Sequence, residues 1–377
     1  MSVKQKRKEK LMHIKISKSS LSEALNNAQA VVGAKGALQV LQNVKVEAQD
    51  GEVKLTCSDL DVTLIANAEC EIIQSGATTI PAKTFAAAVG KLVDGIIEIS
   101  VDENDNSTVS CGASVFKFRG LAAKEFPTIS APDGVSCTIE CNAIREMLRK
   151  TAFAASQDDT RRTLQGVLLD FNKDGSAVRA VGTDGRRLAM LDCNLNVGNG
   201  FSGQYIIPRK AVDLLCKKLP KEGVAELVTA KGQLLVRTPR LIVSTKLLDE
   251  AYPNYMQVVP KNLGKKVTVN RVDFLGALDR ISVLTNTDSP CIVLTFQDNT
   301  LLLDSSDAEY GSSHDEISVK YDGEAVELRF NPQYVRDALT AMDEDEVELN
   351  INASTTPAVI RKPGLDDYTY VVMPLRV

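Results

Sequence analysis

Three aspartates mark the first chemistry this chain could perform. Asp59, Asp184 and Asp307 each follow a hydroxyl residue, as Ser58-Asp59, Thr183-Asp184 and Ser306-Asp307. Carboxylates do general acid–base work when they share one site. These recur at offsets of 125 and 123 residues, so repeat-equivalent turns would hold them tens of ångströms apart. An enzyme using them is the alternative that this placement disfavours. Only two histidines exist, His13 and His314, and neither has a cysteine or histidine at ligand spacing. A zinc site and a histidine-activated nucleophile are both poorly provided for. The eight cysteines, at 57, 70, 111, 137, 141, 193, 216 and 291, form no CxxC. They read as buried reduced thiols rather than a disulfide framework. Gly198, Gly200 and Gly203 spell GxGxxG, but lead into the strand-like Gln204–Pro208, so no helix N-terminus would face a phosphate. Neither GxxxxGK[ST] nor HExxH occurs. No cofactor or metal is expected.

The elements that would position any site come in threes. Leu21, Ile144 and Phe274 align with Leu25, Leu148 and Leu278 four residues later, the apolar stripe of an amphipathic helix after a short strand. A second helix start repeats at Ile80 (IPAKTFAAAVGKL), Ile207 (IPRKAVDLLCKKL) and Phe330 (FNPQYVRDALTAM). Pro81 and Pro208 suit a first helical turn, and Asn331 suits a side-chain cap. The Ser/Thr-Asp pairs are a third marker, and Phe126-Pro127 with Tyr252-Pro253 a fourth. Strands are expected at 44–48, 52–57, 62–66, 166–171, 177–182 and 187–192, with Asp184-Gly185 as a two-residue hairpin turn. Helices are expected at 19–30, 82–92, 142–155, 209–219, 271–281 and 332–342. Two helices among roughly eight strands per unit imply helices packed on sheet, an α+β architecture. Boundaries fall near 131–134 and 261–265, giving units at 12–132, 135–261 and 265–377 after a basic N-terminal extension, 1–11.

Composition supports this reading. The chain has 377 residues, 44% hydrophobic and 25% charged, which excludes disordered, collagen-like and coiled-coil chains. No apolar run reaches the length of a membrane span, and 1–11 lacks a secretory signal's apolar core, so a cytoplasmic protein is expected. The net charge is −5, yet the six candidate helices together carry +6, leaving −11 elsewhere. Basic helices and acidic strands would give opposite potentials on two faces. No aromatic residues interleave the basic positions, which disfavours single-strand stacking and leaves weak contact with duplex phosphates.

The chain resembles the bacterial sliding clamp, the beta subunit of DNA polymerase III, over residues 12–377. The likeness lies in GATTIPAKTF at 76–85, GLAAKEFP at 120–127, TRRTLQGVLLDF at 160–171, VGTDGRRLAM at 181–190, IIPRKAV at 206–212 and YVVMPLRV at 370–377. The resemblance implies the DNA clamp fold, with three similar domains as half of a closed ring completed by a head-to-tail homodimer around double-stranded DNA. It implies a non-catalytic, nucleoid-associated processivity factor binding DNA without sequence preference. Expected partners are the polymerase III catalytic subunit, the clamp loader, and other clamp-binding polymerases and repair proteins, with no membrane. Twelve helices at roughly 10 Å spacing would line a circle of about 120 Å, wide enough for a duplex. A clamp-like peptide scaffold without DNA encirclement is the second reading.

The family's peptide groove carries over onto Leu164, Thr183, Gly185, Arg186, Arg187, Leu188, Pro253, Val258, Val371, Met373, Pro374 and Leu375. A shallower neighbouring part falls on Arg161, Thr163, Asn331, Tyr334, Pro357 and Arg376. An apolar cleft with a polar rim suits one or two anchoring side chains, although Leu164, Leu188 and Val371 also suit an ordinary core. Lys35, Arg209 and Lys210 match DNA-facing basic positions. The chain departs from the family at Leu38–Leu41, which lacks a common proline, at Arg186, where histidine is common, and at Thr163, where a larger side chain is common.

Overall fold

The structure, a computed structural model, describes residues 11–32, 38–128, 133–158, 160–195, 197, 200–286, 288–352 and 355–376. Lys35, residues 1–10 of the basic extension, Ala131 of the first boundary, Gly198 of the GxGxxG match and Val377 lie outside the described residues.

Each sequence repeat folds as a strand and helix, a group of strands, a second helix, and further strands. The first repeat begins with β1 (Met12–Ser17), α1 (Lys18–Ala28), β2 (Asn43–Gln49), β3 (Glu52–Ser58) and β4 (Val62–Glu69). It continues through β5 (Glu71–Gln74), β6 (Gly76–Pro81), α2 (Ala82–Lys91), β7 (Ile96–Val101), β8 (Asn106–Cys111) and β9 (Ser114–Arg119). The second begins with β10 (Val135–Glu140), α3 (Cys141–Ala152), β11 (Gly166–Phe171), β12 (Ala177–Thr183) and β13 (Arg187–Asn194). It ends with β14 (Gly203–Pro208), α4 (Arg209–Lys218), β15 (Val224–Ala230), β16 (Gln233–Arg237) and β17 (Leu241–Lys246). The third begins with β18 (Lys265–Asn270), α5 (Arg271–Ile281), β19 (Ile292–Gln297), β20 (Thr300–Asp307) and β21 (Gly311–Lys320). It ends with β22 (Val326–Phe330), α6 (Pro332–Ala341), β23 (Glu346–Ile351), β24 (Ala358–Arg361) and β25 (Tyr368–Val372).

The helices form where the apolar stripe and the caps agree. Leu21, Leu25, Ile144, Leu148, Phe274 and Leu278 are all buried. Ser17 caps α1 by accepting from the Ser20 N–H at 3.1 Å, and Asn270 caps α5 by accepting from the Val272 and Asp273 N–H groups. Such caps satisfy amides that have no partner inside the helix. Asn331 caps α6 as expected. The expected role of Pro81 and Pro208 is corrected. Both end strands, paired with Asn43 and Gly166, and Pro332 is the proline inside a first turn. No following helical hydrogen bond is lost at a strand's last residue, so proline is tolerated there as well.

The chain forms two compact units, residues 1–141 with 217–247 and residues 142–216 with 248–377. Unit 1 holds a five-stranded sheet, β5-β1-β7-β8-β9, and an eight-stranded one, β10-β15-β16-β17-β4-β3-β2-β6. Unit 2 holds a twelve-stranded sheet, β14-β11-β12-β13-β25-β24-β23-β18-β21-β20-β19-β22. All strand pairs within repeats are antiparallel, and so are two junctions between repeats, β17 with β4 and β13 with β25. The middle repeat thus gives half of its strands to each unit.

Candidate functional site

The Ser/Thr-Asp pairs prove to be turn builders. Asp184 Oδ1 accepts the backbone N–H groups of Arg186 and Arg187 at 2.8 and 3.0 Å. Asp59 does the same for Asp61 and Val62, and Asp307 for Glu309 and Tyr310. The hydroxyls lock the same loops. Thr183 Oγ1 donates to the Arg187 carbonyl at 2.6 Å and accepts from Gly185 N–H, while Ser58 Oγ donates to the Val62 carbonyl and accepts from Leu60 N–H. An aspartate that accepts from residues two and three ahead replaces a backbone turn. The expected two-residue turn at Asp184-Gly185 is therefore corrected: Asp184, Gly185 and Arg186 all lie between the strands, because the carboxylate supplies the closing acceptor. Gly185 has φ +83°, which suits glycine.

Around this turn lies a cleft of about 160 Å³. Ten of the residues expected there line it: Leu164, Thr183, Gly185, Arg186, Arg187, Leu188, Pro253, Val258, Val371 and Met373. Sheet register brings the distant parts together. Leu188 pairs with Val371 and Arg187 with Val372, and the Met373 N–H extends the ladder by donating to the Arg186 carbonyl at 2.9 Å. Leu188 and Val371 belong to the buried cluster with Leu168, Val181, Met190, Ile206 and Val359, so they are core and cleft floor at once. The opposite wall is the segment after β17, where Tyr252 donates to the Val181 carbonyl at 3.3 Å.

Asn254 and Tyr255 also line the cleft and were not anticipated. Tyr255 packs edge-on against Tyr252, 6.2 Å between centroids. Burial pushes its phenol above the ordinary value, against the pull of hydrogen-bonded Arg179. The available signal was YPNY at 252–255, a second aromatic beside a repeat marker.

Arg187 lines the cleft but is occupied by the fold. Its guanidinium donates to Asp184 Oδ2, Asp337 Oδ2 and the Phe153 carbonyl at 3.0, 2.5 and 2.7 Å, and lies 4.5 Å from the Tyr334 ring centroid. Arg186 is its opposite, an exposed side chain that interacts with the Tyr334 hydroxyl.

The remaining expected residues are outside the cleft wall. Arg161 donates to the Asp184 carbonyl at 3.1 Å, and Thr163 to Glu250 at 2.5 Å, so both brace the rim. Asn331 serves its helix, and Pro357 precedes β24, whose Ala358 pairs with Val372. Pro374 is buried, and Leu375, exposed, donates its N–H to the Arg329 carbonyl at 2.7 Å just beyond the cleft residue Met373. Arg376 is exposed.

The basic candidates divide. Arg209 donates to Asp213 and to the Ala152 carbonyl at the end of α3; Lys210 is exposed. Arg149 bonds Glu146 and Asp343, and Lys150 is buried, so the basic excess on the helices is partly neutralised within the fold.

Nothing in this arrangement resembles a reacting centre. Burial pushes the Cys57 thiol to about 12, and Cys137, Cys193 and Cys216 to about 11, which makes them weak nucleophiles. None of the eight cysteines is in a disulfide. Among the described residues no cluster could hold a metal ion, and no helix is long and apolar enough to cross a membrane. The cleft, apolar at its floor and polar at its rim, is suited to anchoring side chains.

Comparison with known proteins agrees with this geometry. The DNA polymerase III beta subunit family matches in three parts: its N-terminal domain at residues 12–130, its central domain at 138–254 and its C-terminal domain at 256–376. A beta sliding clamp of Pseudomonas putida is 32% identical over 370 residues, covering 97% of this chain and 100% of that protein. One of Chlamydia muridarum is 27% identical, covering 97% and 99%. A solved Pseudomonas aeruginosa sliding clamp, bound to griselimycin, superposes with a TM-score of 0.93 at 30% identity, covering 97% and 100%. A Bacillus subtilis clamp gives 0.92 at 25%, covering 97% and 99%. With its helices, strands and aspartate-closed turns recurring in three repeats along the matched length, the chain belongs to the DNA polymerase III beta subunit family, the beta sliding clamps, non-catalytic processivity subunits of a DNA polymerase.

Proposed function

We propose that two copies of this chain close head to tail around duplex DNA, as three domains each, and that the cleft beside Met373 docks peptide segments of the polymerase III catalytic subunit, the clamp loader, and other polymerases and repair proteins. Binding to DNA is sequence-independent, and the protein works in the cell interior at the nucleoid. The observation that supports ring closure is a pair of strand segments with an open side among the described residues: β9, at the end of its sheet, and the first part of β21, which has β20 on one side and meets β18 only through Val319 and Lys320. In the first junction β17 pairs with β4, and in the second β25 pairs with β13. The repeat-equivalents of these partners, β9 and β21, do not pair with each other in this chain. Both are largely exposed, and an exposed edge seeks a partner.

The register follows from the two junctions already made. Val62 pairs with Thr245 and Arg187 with Val372, which places Phe118 opposite Gly311 and Val115 opposite His314 of the second copy. Val115→Cys with His314→Cys should yield a disulfide-linked dimer under oxidation, because directly paired strand residues lie within disulfide reach. A mass of one chain at working concentration, or no cross-link in a dimer, counts against this closure. Loading onto nicked circular DNA with release after linearisation tests encirclement; retention on free-ended linear DNA contradicts it, and no loading at all favours the scaffold reading.

For docking, Met373 is the residue to test. It is half-buried, unbranched and at the end of the ladder, so it can move to admit an apolar side chain. Met373→Lys should weaken a polymerase-derived peptide roughly thirtyfold, the loss of about 2 kcal/mol typical of an anchor contact. Affinity within twofold of the native chain (about 0.4 kcal/mol) would place docking elsewhere.

A further inference from the structure

The frame of the docking cleft is built a second time, inside unit 1, with its lining exchanged. Asp59 closes the β3–β4 turn as Asp184 closes the β12–β13 turn. Lys246 N–H donates to the Asp61 carbonyl at 3.0 Å, just as Met373 N–H donates to Arg186. The cross-strand pair Thr63–Ser244 takes the place of Leu188–Val371. A cleft of about 510 Å³ results.

Pro127 and Ser58 match Pro253 and Thr183 of the other cleft, but the chemistry changes at the floor and the mouth. Two hydroxyl side chains replace the apolar floor, and Thr63 is held by a 2.8 Å hydrogen bond with Ser58. At the mouth, Lys246 Nζ and Asp61 Oδ1 form an ion pair at 3.0 Å where the other cleft has Met373 and Arg186. Leu60, at φ +78°, stands in place of Gly185. An apolar anchor entering here would strip water from a solvated lysine and aspartate and from the Ser244 hydroxyl without offering them a bond, which is unfavourable.

We propose that Thr63, Ser244 and the Asp61–Lys246 pair are specificity-determining residues that close this second cleft to apolar anchors, and so limit each chain to one docked peptide. The proposal rests on the reading of the Met373 cleft as the docking site. The two clefts share the aspartate-closed turn and the ladder extension although the second is the larger, and the four side chains decide which anchor is admitted.

The experiment is a titration of the full-length dimer with a fluorescein-labelled peptide carrying adjacent Leu and Phe side chains, reading peptides bound per chain. The native protein should bind one, and Leu188→Thr with Met373→Lys should bind none. Asp61→Arg, Thr63→Leu, Ser244→Val and Lys246→Met together should bind two. Melting and dimer mass confirm folding of each variant. If the fourfold variant does not fold, Thr63→Val with Lys246→Met asks the same question, and a second, weaker event is expected. One peptide per chain in a folded gain variant overturns the proposal while leaving the docking reading intact. Two in the native chain also overturns it. Undiminished binding by Leu188→Thr with Met373→Lys removes the docking reading itself, and the proposal with it.

Discussion

Arg187 shows how one residue can sit at a functional cleft and yet serve the fold. Its side chain is 10% exposed, with three acceptors and two aromatic rings, Phe153 and Tyr334, around it. Removing it leaves the Asp337 carboxylate without its cation. Arg187→Ala should therefore lower unfolding free energy by about 3 kcal/mol, read by urea denaturation. A loss below about 1 kcal/mol would mean that the pair is effectively solvated. Arg186, next in the chain but exposed, should change stability little when replaced by alanine. Their contrast was not legible in the Arg-Arg dipeptide, because Arg186 ends the turn while Arg187 opens β13, and only the fold brings Asp337 and Phe153 to Arg187.

At the scale of elements, the repeated aspartate is a structural device, and the three turns should respond alike. Asp184→Ala should cost about 2 kcal/mol, since its carboxylate accepts from two amides and Arg187. Asp59→Ala, which removes the matching acceptor of two amides, should cost at least about 1 kcal/mol. Thermal unfolding of the two variants checks the sign of both. A second element-level device joins α3 to the loop after α6. Burial would raise the Asp343 pKa, but the hydrogen bond from Lys150 and the charge of Arg149 outweigh it and hold the carboxyl below its ordinary value. A depressed folded pKa means stability that is present above the unfolded value, near 4, and lost as pH falls through the folded one. Asp343→Asn should be less stable than the native chain at neutral pH and lose less on acidification, so that melting curves taken at about pH 7 and about pH 3 converge.

For the whole molecule, the relevant quantity is charge that remains available to phosphates. Arg209 holds the end of α3, so Arg209→Ala confounds DNA contact with helix stability. Lys210 is exposed, and Lys210→Ala is the second probe. If Lys210 neutralises one phosphate, the slope of log affinity against log salt should become shallower by about 0.9 per binding chain. An unchanged slope, with unchanged loading, would place Lys210 away from the duplex. Sequence preference should stay absent in either case, since phosphate contacts position a protein without reading bases.

Several features of this protein follow from the linear sequence because their causes are local. The stripe through Leu21 and Leu25, and its copies at Ile144 with Leu148 and Phe274 with Leu278, needs only the helical period. The Asn331 cap and the Ser/Thr-Asp turns need only residues two or three apart. Ten of the cleft residues were legible through resemblance, since the TDGRRL and VVM segments stand out as text. The tertiary structure alone decided which strand edges meet, because an edge pairs through backbone groups that every residue carries alike. It alone tied the Leu375 N–H to the Arg329 carbonyl, some 46 residues away, and brought Tyr255 into the cleft. It also showed that Leu188–Val371 and Thr63–Ser244 occupy one position in two frames. Register is set by long-range pairing, and no local pattern of residues records it.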